Sequence, residues 1–378
     1  MIRETALILF VVVMLFVVGL MMVYSATSVG AKTADGEAAD PYLFVHRHLI
    51  AGAVGFAAIF GAARFNYRRL GDRWVYRGIV LLALVLLVLV LIPGIGIERN
   101  YARRWLGVGN VTFQPSEFAK LALILLVAVK VTENEGEIRS LQRGFVPLML
   151  LTFLFCGLIA AEPDLGTPLT LGAVALLMVF MAGARYTHLS LAAAAATVAA
   201  AVLCLLQTYR LKRIAAFRNP WADPSDAGYH LIQSLGAFVR GGFLGQGAGA
   251  GEQKLAYLYG AHTDFVFALW AEDMGLVGTL ALILLFAVFL VVGMRIALCA
   301  RDRFGSVLAA GIVTLIMLQA VFHMAVTTGL VPPKGLPLPF VSYGGTALVV
   351  YLTLAGILLN IGIQAEEEER RPSLVHAG

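Results

Sequence analysis

The residues of this sequence best placed to do chemistry are a few ionisable side chains set in apolar surroundings, where charge is costly and is kept for a reason. Asp264 lies in HTDFVFALW at 262–270, where a polar segment gives way to an apolar run. His262 and Thr263 precede it, and Phe265, Phe267 and Trp270 form an apolar wall after it. An aspartate in a first helical turn is often only a cap, favoured by exposed amides and the positive end of the helix dipole. Cations in the preceding segment open a second role, because a carboxylate beside them at a water–lipid boundary can take a proton from an alcohol. Glu117 and Lys120, in QPSEFAK at 114–120, stand three apart on one helical face behind Pro115, which suits a first turn. They either neutralise each other as a structural pair or, facing the same cavity as Asp264, offer Lys120 to a phosphate or carboxylate. Asp164, in EPDLGTP at 162–168, fits a tight turn by its Pro and Gly neighbours and could equally line a cavity. Lys334 falls in PPKGLPLPFVSYGG at 332–345, where four prolines and three glycines forbid a regular helix. Irregular backbone at membrane depth is tolerated only under protein cover or along a watery cavity, so Lys334, Ser342 and Tyr343 are expected to give donors to a polar chamber.

The elements that must hold these groups are membrane helices. Of 378 residues 60% are hydrophobic and 13% charged, and the mean hydropathy is +0.85, outside the range of soluble domains, which are about a quarter charged. The apolar residues come in runs long enough for a helix to cross about 30 Å of hydrocarbon. The run from Leu7 to Val23 is followed by no small-residue cleavage site, so it is read as a permanent first helix rather than a signal peptide. Apolar runs between breaks predict an all-α, polytopic chain of about ten transmembrane helices, near 4–24, 45–63, 78–92, 116–130, 145–161, 168–183, 188–207, 264–294, 306–330 and 342–363. The whole chain, 1–378, reads as a single transmembrane domain, with a large outer loop at 208–263 and a solvated tail at 364–378. Arginines such as Arg64, Arg68, Arg69, Arg139, Arg143 and Arg303 then fall on short inner loops, and both termini are cytoplasmic by the positive-inside rule.

Two outer segments are cationic without topology requiring it. The loop after the third helix holds Arg99, Arg103 and Arg104, and the large loop holds Arg210, Lys212, Arg213, Arg218, Arg240 and Lys254. They form either a solvated face or a surface for an anionic ligand. The run GGFLGQGAGAG at 241–251 permits backbone bends and close approach, which suits a folded loop over a cavity or a flexible lid. Cys156, Cys204 and Cys299 have no paired spacing and read as small hydrophobes. There is no H-E-x-x-H pair, P-loop or dinucleotide fingerprint, so no organic cofactor is expected and no nucleic acid partner is suggested.

Taken in order, RRWLGVGNVTFQPSEFAKLAL, EPDLGT, NPWADPSDAGYHLIQSLGAF, GQGAGAGEQKLAYL, AHTDFVFA and KGLPLPFVSYGG resemble the SEDS family (shape, elongation, division and sporulation) over nearly the whole chain. Its members FtsW and RodA polymerise peptidoglycan glycan strands from lipid II. NPWADPSDAGYHLIQS and the Lys334–Gly335 pair look more like the division member FtsW than the elongation member RodA. The resemblance implies Asp264 as the catalytic aspartate and Arg104, Trp105, Glu117, Lys120, Asp164 and Lys334 as functional polar positions, with Lys254, His262, Thr263 and Ser342 as further substrate contacts. FtsW-like members have acidic residues before this motif, as in EYLPEAHTDF, where this chain has Ala256, Tyr259 and Gly260. A role for those carboxylates therefore does not carry over.

The implied reaction is an inverting glycosyl transfer at the outer face of a bacterial inner membrane. Asp264 would take the proton of the acceptor sugar hydroxyl, and cations such as Arg104, Lys120 or Lys334 would steady the departing diphosphate. A divalent cation, Mg2+ or Mn2+, could bridge the diphosphate and a carboxylate. The resemblance also implies a class B penicillin-binding protein as transpeptidase partner, other divisome proteins, contact with membrane lipids, and location at the division septum. A lipid flippase would use similar polar groups, but it needs them near mid-membrane with access from both sides. A scaffold that only recruits partners would not need Asp264 at all.

Overall fold

The structure, a computed structural model, describes residues 2–27, 41–99, 102–108, 111–133, 135–226, 228–247, 249, 251 and 261–375. The expected apolar segments all form helices: α1 (Ile2–Thr27), α2 (Pro41–Arg64), α3 (Arg73–Leu91), α4 (Pro115–Glu133), α5 (Val146–Ala161), α6 (Gly166–Met181), α7 (Tyr186–Leu205), α11 (Val266–Cys299), α12 (Arg303–Thr327) and α13 (Gly345–Val375). Between α7 and α11 lie α8 (Thr208–Arg218), α9 (Tyr229–Gly241) and the single turn α10 (Ala261–Asp264). Among the described residues, eight helices are long and apolar enough to cross a membrane. Large apolar side chains such as Phe10, Leu81, Leu150 and Val198 are more than half exposed on their outer faces, an arrangement suited to lipid rather than water. The chain is a polytopic membrane protein.

The two helices that fall short of that criterion do so for different reasons. α6 has only 16 residues. α4 carries four charges, Glu117, Lys120, Lys130 and Glu133, but fourteen of its residues are buried against α3, α6, α12 and its other neighbours. A helix enclosed by protein needs no apolar surface all round, provided its charges are paired.

Small residues set the close packing, as they do where lipid supplies no hydrophobic drive between helices. α2 lies along α13, and a Cβ on Gly356 would stand 2.8 Å from Ile59 Cα. Gly19 of α1 lets the 340–341 backbone approach, where a Cβ would meet Val341 O at 2.7 Å. Asn360 of α13 closes the end of α2, its Oδ1 accepting from Tyr67 N (3.0 Å) while its Nδ2 donates to Ala63 O (2.6 Å).

Three features depart from the sequence reading. The segment after α3 is a three-stranded antiparallel sheet in order β1-β2-β3, with β1 (Ile97–Arg99), β2 (Ala102–Val108) and β3 (Val111–Phe113), where only a loop was expected. α13 starts three residues later than predicted and runs to Val375, taking most of the segment read as a tail into the helix. α11 is broken at Gly275 (φ 64°, ψ −164°), a conformation that disfavours side chains.

Candidate active site

Asp264 ends the single turn α10, and Phe265 breaks the helix before α11 begins. The turn is tied to the irregular segment 328–344: Ser342 Oγ donates to Thr263 O (2.7 Å) and accepts from Leu338 N (2.8 Å). The same segment is anchored from α12, where Gln319 Nε2 donates to Pro337 O (2.9 Å) and His323 Nδ1 lies 2.7 Å from Leu336 O. Its prolines leave carbonyls without helical partners, and these side chains satisfy them. Gly335 is thereby pressed on the carboxylate, since a Cβ there would lie 2.8 Å from Asp264 Oδ2.

Two further elements bring positive charge to this point. Arg213 of α8 and Arg104 of β2 both act on Asp264, and Arg213 Nη1 also donates to Pro333 O (3.3 Å), next to Lys334. Arg104 is held from below by the turn between α5 and α6, its Nε donating to Glu162 O (3.0 Å) and its Nη2 to Pro163 O (2.7 Å). Asp264 keeps some exposed surface, yet it is enclosed closely enough that burial pushes its carboxyl up to about 6, against the pull of Arg213, the Thr263 hydroxyl and Arg104. Burial lowers the Lys334 ammonium from its ordinary value. His230 of α9 stacks on Phe265 at 5.8 Å, and burial followed by Arg213 lowers its imidazole. The arrangement is a carboxylate poised to accept a proton, with cations from α8 and β2 acting on it.

Other sequence candidates sit elsewhere or are used differently. Asp164 caps α6: its Oδ1 accepts from Gly166 N (2.9 Å) and its Oδ2 from Thr167 Oγ1 (2.7 Å), while its charge still reaches Asp264 and Lys334. Lys120 is 1% exposed, and its Nζ donates to Glu117 Oε1 (2.7 Å), Gln319 Oε1 (3.0 Å) and the Tyr351 hydroxyl (3.0 Å). Trp105 is part-buried on β2, paired with Ile97. His262 lies on α10, and its side chain is outside what the structure describes, as is the whole of Lys254. Sequence reasoning gave no site role to Glu162, His230 or Gly335, and placed Arg213 only among the cations of a surface that could meet an anionic ligand. Glu162, His230 and Gly335 stood inside quoted motifs, but nothing in spacing alone aims them, or Arg213, at Asp264.

The glycine-rich run is folded where it is described. Gln246 N donates to Glu272 O (3.0 Å), Gly247 N to Asp273 O (3.0 Å) and Leu276 N to Gly242 O (2.9 Å), so the run lies against the break in α11. Gly245 (φ 79°) and Gly275 are in backbone contact, where a Cβ on Gly275 would meet Gly245 N at 2.3 Å. Asp273 Oδ2 accepts from Ser25 Oγ (2.9 Å), joining α1 to the same junction. A metal site fits poorly: among the described residues no three His, Cys, Asp or Glu side chains are grouped to hold an ion, and the Asp164 oxygens are taken by α6.

The family model described as cell cycle protein (FTSW_RODA_SPOVE) matches residues 5–367. A protein of Trichlorobacter lovleyi named probable peptidoglycan glycosyltransferase FtsW is 44% identical over 353 residues, 93% of this chain and 91% of that protein. Stage V sporulation protein E of Bacillus subtilis is 40% identical over 359 residues, 94% and 96% of the two chains. Among solved structures, a chain of a peptidoglycan synthase complex that coordinates polymerization and crosslinking superposes with a TM-score of 0.77 at 28% identity, over 95% of this chain and 97% of that one.

Proposed function

Since the chain belongs to the cell cycle protein family of FtsW, RodA and SpoVE, we propose that it is a peptidoglycan glycosyltransferase that polymerises lipid II, with Asp264 as general base. The observation that carries this reading is the placement of the Asp264 carboxylate, held against Gly335 and under the influence of Arg213 and Arg104. At neutral pH that carboxyl, at about 6, is mostly ionised and can take the proton of the acceptor sugar hydroxyl as it attacks the donor anomeric carbon. The C–O bond to the diphosphate breaks in the same displacement, with inversion. Arg104, Arg213 and Lys334 supply positive charge for the leaving diphosphate, the term that is usually largest in such catalysis. A divalent cation, Mg2+ or Mn2+, would arrive with the diphosphate, since no three His, Cys, Asp or Glu side chains are grouped to hold one among the described residues, and no step depends on it.

A role in septal synthesis is supported by the identity to the FtsW-named relative. The likeness to a chain of a synthase complex supports a class B penicillin-binding protein as partner. In this reading the chain is one transmembrane domain of the bacterial inner membrane with both termini cytoplasmic, and it works at the septum with other divisome proteins. The test is polymerisation of lipid II by the full chain, reconstituted with its transpeptidase partner in vesicles. Asp264→Asn, which keeps the shape and removes the base, is expected to lower the rate by about 10² to 10⁴ with folding intact. Parental polymerisation by that variant would overturn the assignment.

A further inference from the structure

Glu162 is a carboxylic acid that the mechanism above leaves unused. Its side chain is fully enclosed, and neither carboxyl oxygen has a hydrogen-bond partner. An ionised carboxylate in that state would be buried without compensation, and such groups hold their proton instead. The charged groups that act on it are Asp164 in its own turn and Arg104 from β2; burial first, then Asp164, push the acid up to about 9 against the pull of Arg104. The nearby guanidinium does not pair with the carboxyl. Arg104 spends two donors on neutral carbonyls, those of Glu162 itself and Pro163, which fix its direction without cancelling its charge. The remaining N–H groups of its fork make no hydrogen bond to a described residue.

We propose that Glu162 is a positioning residue that works as a neutral acid, leaving the positive charge of Arg104 uncompensated for the diphosphate of the substrate. As an anion it would draw Arg104 into an ion pair and withdraw that charge from the site. The proposal rests on the glycosyl-transfer reading and adds a switch on the Arg104 charge: loss of the Glu162 proton lowers kcat/KM for lipid II and weakens the binding of a diphosphate.

The experiment compares polymerisation of lipid II against pH for the parent chain and Glu162→Gln, each with its partner in vesicles. The parent is expected to lose kcat/KM as pH rises through about 9. Glutamine, a permanently neutral isostere, is expected to support polymerisation at neutral pH and to lack that alkaline loss. A folded Glu162→Gln chain that polymerises at least tenfold more slowly at neutral pH, or that retains the alkaline loss, overturns the proposal. A second measurement needs no change at Glu162: binding of inorganic pyrophosphate to the parent and to Arg104→Gln across the same pH range. The Arg104-dependent part of that affinity is expected to vanish at alkaline pH, and its persistence there overturns the proposal even if Glu162→Gln fails to fold. Absence of polymerisation by the parent would instead sink the transferase reading, on which the pyrophosphate measurement does not depend.

Discussion

Replacing Lys120 with methionine tests whether this lysine is part of the bundle or part of the site. Its ammonium is enclosed at 1% side-chain exposure, 2.7 Å from Glu117, whose own side chain is 3% exposed. Methionine fills similar space but removes three hydrogen bonds and the positive charge beside Glu117. Glu117 Oε2 already makes no hydrogen bond, so the remaining carboxylate has nowhere to turn. Removing one partner of a buried ion pair costs about 3–5 kcal/mol, because the other charge is left uncompensated, whereas replacing both with apolar or neutral groups is often close to neutral. Lys120→Met is therefore expected to lose about that much stability, and adding Glu117→Gln to recover most of it. Thermal unfolding of the detergent-solubilised chain, followed by tryptophan fluorescence, reads the ranking of the three proteins. If Lys120→Met unfolds with the parent while its KM for lipid II rises, the lysine meets substrate and the structural account is wrong.

The acid limb of the pH profile follows from Asp264. A base must be ionised, so kcat/KM is expected to fall as pH drops through about 6 and to level off above it. Arg213→Gln removes the strongest charge opposing protonation and should move that limb to higher pH; an unmoved limb would show that Arg213 does not reach the carboxylate. Gly335→Ala places a methyl 2.8 Å from Asp264 Oδ2, and a shift of the carboxylate by about 1 Å can cost about 10² in rate. Parental thermal stability with kcat down by that order is expected, and an unchanged kcat would show that the carboxylate has room to spare.

The bundle was legible because its signal is local: each apolar run declares its own helix, and prolines and glycines mark the breaks. The cap at Asp164 was legible for the same reason, since its partners Gly166 and Thr167 lie within three residues. The surroundings of Lys120 were not. The i,i+3 partner Glu117 could be read from spacing, but Gln319 and Tyr351 are 199 and 231 positions away, and these distant acceptors are part of what holds the ammonium inside α4. The sheet at 97–113 also escaped, because its strands are three to seven residues long and their cations read as loop. Yet this sheet is what carries Arg104 to the α5–α6 turn.

What separates structural from chemical charge in this protein is the number of internal partners each group has. Glu117, Lys120 and Asp164 are bonded within the bundle, by an ion pair, two distant acceptors and a helix N-terminus. Lys334 makes no side-chain hydrogen bond to a described residue. Among the described residues, the Asp264 carboxylate has one hydrogen-bond partner, the Thr263 hydroxyl, and the Thr263 carbonyl is held in turn by Ser342 Oγ. Groups with so few partners cost stability in the free protein, and a ligand that supplies more of them recovers that cost. A substrate with a hydroxyl to deprotonate and a diphosphate to neutralise supplies both at once. In the segments that carry them, α10 and 328–344, the carbonyls of Thr263, Leu336 and Pro337 are held by the side chains of Ser342, His323 and Gln319, and it is this cross-bracing of irregular backbone that brings Gly335 against the Asp264 carboxylate.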